Sequence, residues 1–100
     1  MKFEIIVDKR ALEDIIPAVE YYENISIELG NKFKIVLDNN INTIKTNPFF
    51  AIRYKDVRCL YIKKFPFMIH FSVNEIDKVV KIHSVLHTSR NPNIWKNRLK

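Results

Sequence analysis

Three histidines, His70, His83 and His87, and a run of cations with no acid among them, Arg90, Lys96, Arg98 and Lys100, are the side chains of this 100-residue sequence best suited to chemistry near neutral pH. Imidazole titrates in that range, and a histidine close to a cation is the least equipment that moves a proton beside a phosphate. His87 and Arg90 are close in the chain, so they form one candidate substrate-facing pair. A hydrogen-bonded histidine at a strand end has the same spacing, and both readings stay open. His83-x-x-x-His87 would present two zinc ligands on a helix, but alternation over this stretch predicts a strand, which separates the two Cα atoms by about 13 Å. No metal site is expected.

The remaining candidates also divide between chemistry and architecture. Lys63-Lys64 is either a solvated hairpin turn or a contact for phosphate or carboxylate. Trp95 either packs a terminal helix on the sheet edge or anchors an interface. The basic cluster Arg90, Lys96 and Arg98 fits a protein partner or a nucleic acid. Cys59, the one cysteine, has no internal disulfide partner and reads as an inert small side chain. With Gly30 the sole glycine, a phosphate-cradling loop is not available, and no cofactor is expected.

These residues need elements to position them. Lys2 to Val7 reads as a strand closed by Asp8, a potential helix N-cap. Leu12, Ile15, Ile16, Val19 and Tyr22 then recur at helical spacing as far as about Ser26, with Pro17 predicting a kink or a helix start near it. A second helix is expected over Glu28 to Lys45, with Leu29, Phe33, Val36, Leu37, Ile41 and Ile44 inward, ended by Asn47-Pro48. Beyond Phe49 the period becomes two. Val57 to Lys63, Phe67 to Val73 and Val79 to His87 predict an antiparallel meander. Strict alternation turns Leu60, Ile62, Ile69, Phe71, Val73, Val80, Ile82 and Leu86 toward the helices. It leaves Cys59, Tyr61, Lys63, Met68, His70, Ser72, Lys81, His83 and His87 on the other face. Pro92 opens a short basic C-terminal helix. The expected fold is α+β: a helical hairpin on one face of a small, mainly antiparallel four-stranded sheet, in the order β-α-α-β-β-β, with that helix at the end.

Composition sets the outer bounds. With 47% hydrophobic residues the chain supports a single domain over residues 1–100, and a chain of this length buries roughly 60 to 70% of its unfolded surface. Phe3 to Val7 is interrupted by Glu4 and ended by Asp8, so neither a secretory leader nor a membrane span is expected, and a cytoplasmic location follows as the default. The charge of +6 is uneven: residues 1–52 hold 6 basic and 8 acidic side chains, and residues 53–100 hold 11 and 3. A second half at net +8 suits nucleic acid, an acidic protein partner or an anionic membrane surface.

The element order, together with Ala18 to Phe33 (AVEYYENISIELGNKF), Asn47-Pro48, Asp56-Val57-Arg58, Phe65-Pro66-Phe67 and Val85 to Pro92 followed by Trp95, resembles the RelE/ParE toxin family, and within it the ParE-like plasmid-stabilisation proteins. The resemblance implies a toxin of a type II toxin–antitoxin system, neutralised in a hetero-oligomer by a cognate antitoxin. It further implies that Arg58, Lys63, Lys64, His87, Arg90, Trp95, Lys96 and Arg98 serve target or antitoxin binding. RelE-like members cut messenger RNA on the ribosome with cations that Cys59, Tyr61 and Met68 replace here. The ParE-like expectation is therefore inhibition of DNA gyrase without catalysis. A ribosome-dependent endonuclease using His87 and Arg90 is the alternative, and a non-toxic structural partner with a toxin-like fold is a second.

Overall fold

The computed structural model describes residues 2–89 of the chain. Strand β1 (Glu4–Val7) leads directly into helix α1 (Lys9–Ile25). The Asp8 carboxylate makes that junction by accepting from the Arg10 N–H at 2.9 Å, which satisfies one donor of the first helical turn. That hydrogen bond, ahead of the opposing effect of burial and the help of Lys81, holds the Asp8 carboxyl below its ordinary range. Ser26 alone separates α1 from α2 (Ile27–Thr46): its N–H donates to the Tyr22 carbonyl, and its hydroxyl accepts from the Leu29 N–H at 3.0 Å. One residue thus ends one helix and begins the next.

Two helical expectations change. The first helix starts at Lys9, not near Pro17, and continues through the proline. An interior proline costs about 3 kcal/mol against alanine, largely through the unmet carbonyl four residues earlier. Here that carbonyl belongs to Glu13, which like Pro17 is solvent-exposed, so the carbonyl stays open to hydration. The α1 stripe is also divided. Ala11, Ala18 and Tyr22 are buried, whereas Leu12 and Ile16 are 48% and 56% exposed. Along α2, Phe33, Leu37 and Ile44 are buried as the spacing predicts. Gly30 permits the close helix crossing, since a Cβ there would collide with the Glu23 side chain and lie 3.2 Å from Glu23 Cα.

The sheet has five strands rather than four, in the order β1-β5-β4-β3-β2, and is mixed. The additional strand is β2 (Ile52–Tyr54), followed by β3 (Val57–Tyr61), β4 (Phe67–Asn74) and β5 (Val79–His87). Three residues are too few for alternation to register. A tight turn with Lys55 at φ 49° pairs Tyr54 with Val57. The β3, β4 and β5 meander is antiparallel as expected, while β1 lies parallel to β5 with Glu4 opposite Val79 and Val7 opposite Ile82. The expected C-terminal helix lies outside the described residues.

One inserted residue rearranges the faces. His70 pairs with Ser84 but Phe71 pairs with Ile82, leaving His83 as the extra residue of a bulge. An odd insertion turns every later side chain to the opposite face. Val85 and His87 therefore face the helices, and Leu86 faces away, the reverse of strict alternation. Asp14 of α1 secures the irregularity, its Oδ2 accepting from the Val85 N–H at 3.1 Å.

The core fills the space between helices and sheet, with Phe33, Ile44, Ile69, Phe71, Val80 and Ile82 fully buried. At the hairpin end Tyr22, Phe33, Phe65 and Phe67 form an aromatic cluster, with centroids 4.9 Å apart for Tyr22–Phe65 and 5.0 Å for Phe33–Phe65. Tyr21 points outward from the same helix at 63% exposure.

Candidate functional site

The sheet face turned away from the helices is one candidate surface. The strand register puts Cys59 opposite His70 and Tyr61 opposite Met68, so the residues at the positions of interest for cleavage share this face. His70 is completely buried, and Tyr54 Oη and Cys59 Sγ both meet its Nδ1, at 2.9 and 3.4 Å. Burial pushes the Cys59 thiol up to about 11, so the sulfur keeps its proton. Both contacts hold the ring in one orientation, with the donor and acceptor roles set by the imidazole tautomer. The result is a desolvated, fixed imidazole, with Met68, Ser84 and Leu86 buried on the same face.

Cationic character on this face is sparse among the described residues. Arg53 donates to Tyr61 Oη at 3.3 Å and stands 5.9 Å from its ring centroid, while Lys81 pairs with Asp8 at 3.4 Å. His83 bonds through Nε2 to Ser72 Oγ at 2.7 Å. No three histidine, cysteine or acidic side chains gather as a metal-binding group among the described residues.

Two solution properties follow from this geometry. The Cys59 shift from 9.0 to about 11 leaves roughly a hundredth of the usual thiolate at pH 8. Iodoacetamide should therefore alkylate native protein about a hundredfold more slowly than urea-unfolded protein; equal rates would contradict the buried thiol. For His83, burial lowers the pKa from 6.5, helped by Lys81 and partly opposed by Asp56 and Asp8. The unfolded chain thus takes up this proton first as pH falls. Its contribution is complete above the ordinary histidine pKa and is lost as pH falls through the folded-state value. The urea midpoint should drop between pH 7.5 and 5, and His83→Gln should flatten that drop; an unchanged slope in the variant would remove His83 as its source.

The second candidate surface is a groove of about 550 Å³ between the helices. Its floor is Val7, Leu12, Ile15, Ile16, Val19, Leu37 and Ile41, and its rim is Glu20, Glu23, Lys34 and Asp38. An open apolar stripe framed by charges is the usual form of a seat for an amphipathic protein segment. The spacing of Leu12 and Ile16 identified an apolar stripe, but spacing alone does not reveal that part of a stripe stays uncovered.

Among the described residues, the expected site residues Arg58, Lys63, Lys64 and His87 do not converge on one centre. Arg58, opposite Phe71, donates through Nη1 to the Phe50 carbonyl at 3.1 Å and lies 5.3 Å from the Phe49 ring, which ties down the segment before β2. Lys63 and Lys64 are exposed in the β3–β4 turn, Lys64 with φ 73°. His87 faces the helices, not the histidine-bearing face. Its Nδ1 meets Ser89 N and Oγ at 3.1 and 2.7 Å, and its ring packs edge-on against Phe67. Arg90, Trp95, Lys96 and Arg98 lie outside the described residues. Arg53 and Tyr54 were missed in the sequence; the signal was Ile52-x-Tyr54 before a turn, weak at three residues.

A helical hairpin covering one face of a small mixed sheet, with a bulged central meander, defines a compact α+β architecture. The comparisons specify it further: the chain has the RelE/ParE toxin fold. It superposes on a chain of the chromosomal ParDE toxin–antitoxin system from P. aeruginosa with a TM-score of 0.74 at 17% identity, covering 88% of this chain and 98% of that one. An E. coli RelE toxin double mutant in the free state gives 0.69 at 14% identity, covering 99% and 96%. No family model and no curated protein matches the sequence. No helix among the described residues is long and apolar enough to cross a membrane.

Proposed function

We propose that the chain is the toxin of a type II toxin–antitoxin pair, and that it acts in the ParE manner, by binding DNA gyrase and not by cutting RNA. The observation that carries this reading is the occupancy of the sheet face by Cys59, Tyr61, Met68 and a buried His70. Phosphoryl chemistry on RNA needs preorganised cations beside the scissile phosphate and an exposed group to move the 2′-hydroxyl proton. Among the described residues, Arg53 and Lys81 are held by Tyr61 and Asp8, and burial favours the neutral form of Cys59, which argues against charge stabilisation of a scissile phosphate on this face.

The α1–α2 groove supports an antitoxin as the neutralising partner. Its apolar floor fits one face of a helix, and Glu20, Glu23 and Asp38 on the rim favour basic flanks on that helix. The acidic part of such a partner would find its complement in the basic second half of the chain. Expression without a partner tests the poison reading: cells should filament and induce DNA-damage signalling while transcripts stay intact. Rapid translation arrest with cleaved messenger RNA would establish the endonuclease alternative, and harmless expression at confirmed soluble levels would support a non-toxic structural partner.

A further inference from the structure

Lys32, Val36, Asn39 and Thr43 follow one another at three- and four-residue spacing along α2, with Asn40 beside Asn39, and line a cleft with Lys63 and Lys64 of the β3–β4 turn. The cleft has a volume of about 330 Å³, with three lysines and no acidic residue in its lining. The two ion pairs of the described residues, Lys34–Glu23 and Lys81–Asp8, involve none of these three lysines. Several polar groups of the stripe are already engaged: Asn40 Nδ2 donates to the Val36 carbonyl at 2.7 Å and Thr43 Oγ1 to the Asn39 carbonyl at 3.1 Å. The cleft's free donors are therefore mainly ammonium groups. Val36 is its one apolar side chain, whereas the α1–α2 groove has seven.

That contrast separates the two surfaces by the chemistry of their occupants. An amphipathic protein segment needs an apolar seat, which the groove has and the cleft lacks. Lysines are point charges without the forked geometry that selects a single carboxylate, and several around an open cleft match the evenly spaced charges of a phosphodiester chain. We propose that Lys32, Lys63 and Lys64 form a binding site for a nucleic-acid phosphate backbone, on a stripe of α2 that shares no lining residue with the groove. The site reads charge and not sequence, and it does not depend on which target the toxin reading favours.

Fluorescence anisotropy of the full chain with a labelled 20-nucleotide RNA and with a labelled DNA duplex, titrated across salt concentration, tests the site. Each lysine–phosphate contact contributes about 0.7 to the slope of log affinity against log salt for a single strand and about 0.9 for a duplex. The Lys32→Gln, Lys63→Gln, Lys64→Gln triple variant should therefore lose about 2 units of slope on RNA or about 3 on the duplex. A control with the same net charge, Lys9→Gln, Lys55→Gln, Lys78→Gln, should lose less than about 1. All six side chains are exposed, so circular dichroism and melting should report folded protein in both variants. Equal losses in the two variants, no loss in the cleft variant, or no binding of either probe by the wild type at 50 mM salt would each overturn the proposal. So would loss of antitoxin binding in the cleft variant with nucleic-acid binding intact, which would assign the lysines to partner carboxylates.

Discussion

Ile16→Asp should leave the chain folded yet weaken the proposed antitoxin complex by at least about a hundredfold, or about 3 kcal/mol. Ile16 is 56% exposed on the floor of the α1–α2 groove, so in the free protein the substitution deletes little packing and adds a hydrated charge on a helix surface. Changes of that kind usually alter stability by no more than about 0.5 kcal/mol. In the complex the same position would lie beneath the partner's apolar face. Burying an isoleucine there is worth about 1.5–3 kcal/mol, and an unpaired carboxylate in its place adds a desolvation penalty. Leu12→Asp, one turn earlier at 48% exposure, should behave alike. Isothermal titration with the antitoxin, alongside a thermal melt of the free variant, separates docking from folding. Wild-type affinity in both variants would exclude the groove as the seat.

Phe33→Ala should have the opposite profile, costing about 3–5 kcal/mol of stability. Phe33 is fully buried, and its ring centroid lies 5.2 Å from Tyr22, 5.0 Å from Phe65 and 5.5 Å from Phe67. Removing it empties the junction of α1, α2 and the β3–β4 hairpin, where none of the remaining aromatic rings can collapse into the gap without losing its own edge-on contacts. A domain of this size typically has about 5–15 kcal/mol of stability in total, and each kilocalorie lost lowers the melting temperature by about 4–8 °C. A fall of at least about 12 °C is expected; a fall of only a few degrees would mean the cluster is not the keystone its geometry implies.

The two positions also mark how far the sequence could be read. Phe33 was legible because the helical spacing of Leu29, Phe33, Val36 and Leu37 puts it on the inward face of α2. Asp8 and Asn47-Pro48 were legible for a similar reason: capping and breaking are local chemistry. Ile16 was read as part of an apolar stripe because periodicity identifies one, but how much of that stripe a neighbour covers is a tertiary fact. His87 was assigned to the wrong face because alternation has no internal signal for a bulge. The extra residue at His83 is stabilised from α1 by Asp14, 71 positions away from the Val85 N–H it accepts. Strand β2 was lost to its length, and with it Tyr54, whose hydroxyl completes the His70 environment. The parallel pairing of β1 with β5 was equally invisible, since the strand's own four residues carry no mark of their neighbour.

The candidate site followed the same division. The replacement of nuclease-type cations by Cys59, Tyr61 and Met68 was readable from the sequence through its resemblance to the toxin family. The structure adds that these side chains share one face and that His70 beside them is enclosed. It also shows that the described residues of this face are not the basic surface that the charge count first implied. Among the described residues, Lys63 and Lys64 are in the turn, Arg58 holds the segment before β2, and Lys81 is paired with Asp8.

The most direct measurement is a DNA gyrase supercoiling assay with the purified chain, run beside a ribosome-programmed messenger RNA cleavage assay on the same preparation. The expected result is dose-dependent loss of supercoiling, relieved by the antitoxin, with the messenger RNA intact. Cleavage of the message with gyrase unaffected would contradict the proposed mode of action.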